Sequence, residues 1–161
     1  MALVRQYRGP GAPARRGRKR GAPDQALGRS RGGFSTKIHV ATDGLGNPTR
    51  FLLSGGQEAD ISYAEPLIEG QRFGAGIGDK GDDSDRLVAV IESQGAEPII
   101  PPKKNRKVPR AYDRHLYRER NKVERLISLI KQFRRVATRY EKTAVNFLGF
   151  IHVAAIMVLL R

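Results

Sequence analysis

The chain has no cysteine, so neither a disulfide framework nor a thiolate metal site can exist in it. Its three histidines, His39, His115 and His152, are too dispersed for a zinc constellation and are expected to be structural. Basic residues near the N-terminus have no apolar run behind them, so a secretory signal is not expected. Residues 143–160 are apolar, but they include Asn146 and His152 and fall short of a comfortable membrane span. A packed final helix is the expectation there. No internal repeat is visible, and acids are scarce towards both ends.

What is present is enough for one modest domain with a core, at 161 residues and 39% hydrophobic content. The net charge of +14 is unevenly spread. Residues 1–33 hold nine Lys or Arg against one acid, residues 34–100 five against eleven, and residues 101–142 fifteen against four. Two basic flanks imply a polyanionic partner. The acidic middle does not suit simple nucleic-acid binding and reads as a place that holds cations.

Residues 1–33 are rich in Gly, Pro and Arg around Arg15, Arg16, Arg18, Lys19 and Arg20, and read as a basic arm or loop. Residues 37–41 and 50–53 read as strands joined by a turn-rich stretch at 43–48. Asp60 is placed to cap a short helix through Ile68. Residues 74–78 read as a short buried strand that delivers Asp79 at its end. Ser84 caps a helix through Ser93 with Leu87, Val88 and Ile91 on one face, and residues 97–100 form a strand stopped by Pro101 and Pro102. A basic loop at 103–110 precedes a long helix predicted over 115–140, and a final apolar helix closes an α/β arrangement with a short mixed sheet.

The long helix is the most informative stretch. At 100° per residue, Tyr117, Arg120, Glu124 and Lys131 fall within roughly 60° of one another. Leu116, Val123, Leu126, Ile127, Ile130, Phe133 and Ala137 take the opposite arc. Arg120 and Glu124 can pair one turn apart, and a carboxylate flanked by cations can ligate a metal while its neighbours grip phosphate. A solvated face with ordinary charge pairs fits the same geometry. The spacing, however, is Y-x-x-R-x-x-x-E-x6-K at every fixed position, and it resembles the signature of bacterial insertion-sequence DDE transposases. Residues 24–33, 36–39 and 99–120 resemble the same group. The resemblance implies that Glu124 is a catalytic carboxylate and metal ligand. It also implies that Arg120 and Lys131 contact transposon-end DNA, with Tyr117 completing the DNA-facing signature.

Residues 77–85 resemble the family's second catalytic motif, which makes Asp79 a catalytic metal ligand at a strand end. Gly76 and Gly78 would let backbone and DNA approach closely. The family commonly has an aromatic residue where Asp82 stands, so a charge is added near the site. Residues 76–81 formally match G-x-G-x-x-G, but an acid inside a phosphate loop argues against a dinucleotide site. A calcium loop starting at Asp79 would need Glu where Val90 stands, whereas a plain capping and turn cluster also fits these residues.

The resemblance implies a ribonuclease-H-like fold for residues 34–161. Residues 3–7 resemble the end of the stretch that forms the family's first strand, so its first catalytic Asp would fall at or just before residue 1, and neither Asp24 nor Asp43 is a natural substitute. The expectation is therefore a partial catalytic domain with its first strand missing or truncated, inactive in isolation. A second reading frame, a misplaced start and a decayed copy all fit. The implied chemistry is phosphodiester cleavage and strand transfer at insertion-sequence ends with two Mg²⁺ or Mn²⁺ ions. The implied partners are transposon-end and target DNA, an upstream-frame product or full-length transposase, and further copies of the chain, in the bacterial cytoplasm at the nucleoid. The basic arm, with Arg18, Lys19 and Arg20, would add DNA contacts. The alternative is a non-catalytic DNA-binding fragment acting as inhibitor or inactive subunit.

Overall fold

A computed structural model describes residues 2–10, 25–30 and 33–161. Strand β1 (Ala2–Pro10) is followed by β2 (Gly28–Ser30), β3 (Gly33–Thr42) and β4 (Pro48–Gly55). Then come α1 (Ala64–Ile68), β5 (Ala75–Ile77), α2 (Asp85–Ser93), β6 (Glu97–Ile99), α3 (Arg114–Tyr117), α4 (Asn121–Ile130), α5 (Arg134–Ala137) and α6 (Ala144–Leu159). The strands form one six-stranded sheet in the order β2-β3-β1-β5-β6, with β4 also paired to β3. β5 runs parallel to β1 (Leu3 opposite Ile77) and to β6 (Ile77 opposite Ile99).

The expected basic arm or loop over residues 1–33 holds a strand at each of its ends, and the first strand, expected to be missing or truncated, is present. Residues 2–10 form β1, which lies between β3 and β5 in the sheet order, and residues 28–30 form β2. Leu3, Val4 and Tyr7 are good strand formers. A strand paired in parallel need not show polar–apolar alternation, so with arginines at 5 and 8 only the family resemblance of residues 3–7 pointed to it. Arg18, Lys19, Arg20 and Asp24 lie outside the described residues.

The chain divides into two compact units, one of Met1–Arg5, Val40–Arg50 and Ala59–Glu124, the other of Gln6–His39, Phe51–Glu58 and Arg125–Arg161. In the first, the predicted helix and strands appear where expected. The Ser84 hydroxyl accepts the Leu87 N–H at 3.1 Å, and Leu87, Val88 and Ile91 are buried. Asp60 is corrected: it opens a 3₁₀ turn (Asp60–Tyr63) one residue after the cap position, which Ala59 fills without a side-chain bond. The turn at 43–47 is organised by Asp43, whose carboxylate accepts from the Leu45 and Asn47 N–H groups at 2.8 and 2.9 Å. Burial pushes Asp43 up, but these hydrogen bonds outweigh it and hold the carboxyl below its ordinary range. Asp43 is therefore a turn residue, as the sequence suggested.

In the second unit, α6 buries Phe147, Ile151, Ala154 and Ala155, an i, i+4, i+7, i+8 stripe, while Val145, Val153, Ile156 and Met157 of the same helix are exposed, and α5 packs against it. Thr143 caps it by accepting the Asn146 N–H at 3.4 Å. No helix among the described residues is long and apolar enough to cross a membrane. His152 stacks edge-on to Phe51 at 5.5 Å, and buried His39 bonds the Ser54 hydroxyl at 2.7 Å.

The predicted long helix over 115–140 is corrected. It is α3, a 3₁₀ turn (Arg118–Arg120) and α4, which ends at Ile130. After α5, Thr138 is extended (φ −130°, ψ 122°). Neither Pro nor Gly marks the break. The chain after α5 is held by tertiary bonds of a buried Arg139, whose guanidinium donates to Gln25 O, Ala26 O and Thr36 Oγ1 at 2.8, 3.2 and 2.6 Å.

Candidate functional site

Asp79 leaves β5 and becomes the N-cap of a 3₁₀ turn (Lys80–Asp82), its carboxylate accepting the Gly81 N–H at 2.6 Å. The reciprocal half of the box comes from Asp82, whose Oδ2 accepts the Asp79 N–H at 3.0 Å. Asp79 is exposed, whereas Asp82 is 3% exposed. Burial, and then the nearby charge of Asp79, push the Asp82 carboxyl up to about 7. The added charge expected from Asp82 is thus a buried, reluctant one. The two glycines make room for protein packing. A Cβ on buried Gly76 would lie 3.0 Å from Ile91 Cδ1, and one on buried Gly78 would lie 3.1 Å from Asp82 Cβ and 3.3 Å from Ile100 Cγ1.

Tyr117, Arg120 and Glu124 are brought together as the spacing predicts, though by a different helix geometry. In a 3₁₀ turn residues i and i+3 eclipse, which puts the Arg120 guanidinium 5.5 Å from the centre of the Tyr117 ring. Arg120 Nη2 then reaches Glu124 Oε1 at 2.8 Å. Tyr112 packs edge-on to Tyr117 at 5.6 Å. Asp113 starts this segment by accepting the His115 and Leu116 N–H groups at 2.6 and 3.0 Å. Val123, Leu126, Ile127 and Ile130 are buried, so the apolar arc of α4 stands as predicted.

Lys131 falls just past α4 and in the second unit, with its N–H still donating to Ile127 O at 3.1 Å. Asp79 and Glu124 belong to the first unit. Among the described residues there is no group of three His, Cys, Asp or Glu that could hold a metal. A cleft of about 700 Å³ lies elsewhere, lined by Ile61, Glu65, Glu69, Arg86 and Val90 among others, and touches neither acid.

Three features escaped the sequence reading. Lys122 Nζ donates to Gly44 O at 2.7 Å, fastening the β3–β4 turn to the start of α4. Gly46, at φ +93°, sits where a Cβ would come 3.1 Å from Lys122 Cβ, so this position needs glycine for conformation and for space. Asp83, buried beside Asp82, gathers Arg106 and Arg110. A run of acids at 82–85 followed by a basic loop some twenty residues on was the available signal for that last pairing.

The sequence profile described as the transposase DDE domain matches residues 8–159. A protein of Brucella ovis assigned as a transposase for insertion sequence element IS6501 is 36% identical over 130 residues, covering 80% of this chain and 100% of the relative. One of Burkholderia cepacia, assigned likewise for IS402, is 28% identical over 121 residues, covering 68% of this chain and 55% of the relative.

Proposed function

Because the chain belongs to the DDE transposase family, whose members carry out DNA transposition, we propose that Asp79 and Glu124 are two of its catalytic carboxylates. Their reaction would be metal-dependent phosphodiester cleavage and strand transfer at insertion-sequence ends. The observation that carries this reading is the Tyr117–Arg120–Glu124 arrangement, in which the signature spacing produces a real ion pair and ring contact. The strand order β2-β3-β1-β5-β6, with β4 paired to β3 off that path and β1, β5 and β6 parallel, supports a ribonuclease-H-like sheet.

The donor chemistry fits a hard divalent cation. Both groups are carboxylates that reach solvent, Asp79 at a strand end and Glu124 with its side chain 36% exposed. Asp79 and Glu124 would hold Mg²⁺ or Mn²⁺, which supplies Lewis-acid activation of the attacking and leaving oxygens. Arg120 fixes one oxygen of Glu124 and so orients it. Its side chain is also 24% exposed and presents the remaining N–H donors to a phosphate. Tyr117 braces that guanidinium, and Lys131 adds a cation for the DNA backbone. DNA ends and target, a further copy of the chain and a nucleoid location complete the proposal.

The rival is a non-catalytic DNA binder, which needs the basic segments and not the acids. Transposition of the element as encoded, measured in cells, separates them. Asp79→Asn and Glu124→Gln should each lower transposition about a hundred- to thousand-fold, with the affinity of the purified chain for duplex DNA unchanged within about twofold. Unchanged transposition in both variants would leave the binder as the surviving account.

A further inference from the structure

The loop of residues 103–110 follows β6, and Ile100 at its root lies against Gly78, the residue before Asp79. The loop therefore springs from the same end of the sheet as Asp79. Parallel strands β5 and β6 deliver both to the carboxyl end of the sheet, where ligands of such folds gather.

A buried carboxylate sets the loop's conformation. The Asp83 side chain is 1% exposed, and its Oδ1 accepts from Arg106 Nη1 and Arg110 Nη1, both at 2.8 Å. Its Oδ2 accepts the Lys103 N–H at 2.8 Å, and its carbonyl oxygen accepts Lys103 Nζ at 3.0 Å. The second nitrogen of each guanidinium pairs with Asp85. Each arginine is thus held across two acids by charge-assisted bonds that fix angle as well as distance. Burying the Asp83 carboxylate carries a desolvation cost, and a solvated loop with no task has no use for it.

The latch also sorts the loop's cations. Arg106 and Arg110 are directed inward onto Asp83 and Asp85. Lys104 and Lys107 are exposed and make no hydrogen bond or ion pair among the described residues. Next to Lys107 stands Val108, 77% exposed. Two outward ammonium groups beside an apolar tip match a nucleic-acid strand, which offers phosphate oxygens next to the apolar faces of its sugars and bases.

We infer that residues 103–110 form a second DNA contact, separate from the Arg120 helix face, in which the Asp83 latch presents Lys104, Lys107 and Val108 to the duplex. The inference rests on the DNA-handling reading above, and its test separates the two. Binding to a duplex oligonucleotide is measured by fluorescence anisotropy in EDTA across a series of salt concentrations. Lys104→Ala/Lys107→Ala, two surface changes that spare the latch, should make the slope of log K against log salt shallower by about 1.8, at roughly 0.9 per lost phosphate contact. Asp83→Asn should raise amide hydrogen exchange across residues 103–110 by at least about tenfold relative to β6 and α2. Wild-type binding with an unchanged slope in the double lysine variant overturns the inference alone, and leaves the loop facing a protein or solvent. A wild-type chain that binds no duplex overturns the DNA reading along with it. Unaltered exchange in Asp83→Asn overturns the latch.

Discussion

Replacing Arg139 with Ala should lower the free energy of unfolding by about 3–5 kcal/mol, seen as a large fall in the urea midpoint followed by circular dichroism. Arg139 is 2% exposed, yet it carries a charge. Burial pushes its guanidinium down from the ordinary value, opposed by the nearby Glu141. Its nitrogens donate to Gln25 O, Ala26 O and Thr36 Oγ1, and further to Glu141 O at 3.1 Å and Lys142 O at 3.4 Å. The guanidinium also stacks 5.3 Å from the centre of the buried Phe147 ring. Truncation strands several acceptors at once, and each buried acceptor left without a donor costs about 1–3 kcal/mol where water cannot reach it. Lysine should recover only part of the loss, because three donors on a flexible stem cannot reproduce a planar fork of five. A loss below about 1 kcal/mol for the alanine variant would mean that the segment after α5 does not depend on this residue.

Asp82→Asn should make the protein more stable at pH 8 by about 3–4 kcal/mol and remove a pH dependence between about 4 and 7. The folded-state value of Asp82 is about 7, raised from 3.8 by burial and then by Asp79. Below the unfolded value the carboxyl is protonated in both states. As pH climbs from there, the unfolded chain releases the proton while the folded chain keeps it. Stability is lost across that window until the folded group also ionises near 7. Asparagine has no charge to bury, and its carbonyl oxygen can still accept the Asp79 N–H. Urea unfolding of both proteins at pH 4.5, 6 and 8, in EDTA, isolates this group together with its coupling to Asp79. Parallel curves for the two proteins would show that Asp82 ionises in the fold at no cost. Asp83 acts with the opposite sign. Burial pushes it up, but the Lys103 N–H and the two arginines outweigh that and hold it low, so its contribution fades as pH falls.

The parts of this fold that could be read in advance were those governed by local chemistry. Ser84 with Leu87, Val88 and Ile91 announces α2 because a cap and an apolar stripe act within a single helix. The hairpin of β3 and β4 follows from Asp43, Gly46 and Asn47 in the same way. Tyr117, Arg120 and Glu124 were legible as a group since three- and four-residue spacings survive exchange of an α-turn for a 3₁₀-turn. What stayed hidden depends on distant residues. The break after Ile130 was invisible because Phe133 and Ala137 continue the apolar spacing, and the extended turn after Ala137 because Arg139 is anchored by distant carbonyls at Gln25 and Ala26. Arg139 itself resembled any other cation in a basic segment meant for DNA. Strand β1 showed only through the family resemblance of residues 3–7, because its arginines and the glycines and prolines that follow it break any strand period. Its pairing with β5 joins residues more than seventy positions apart, beyond any local pattern.

Leu45, 80% exposed at the tip of the β3–β4 turn, invites a grafted epitope or a fluorescent label. The residues on either side of it make this a poor choice. The Gly44 carbonyl is tied to Lys122, and the bare α-carbon of Gly46 is pressed against the same side chain. A reporter installed there would tug on the helix two residues from Glu124, disturbing what it was meant to observe. Val145, 78% exposed at the start of α6, offers an attachment point without that leash.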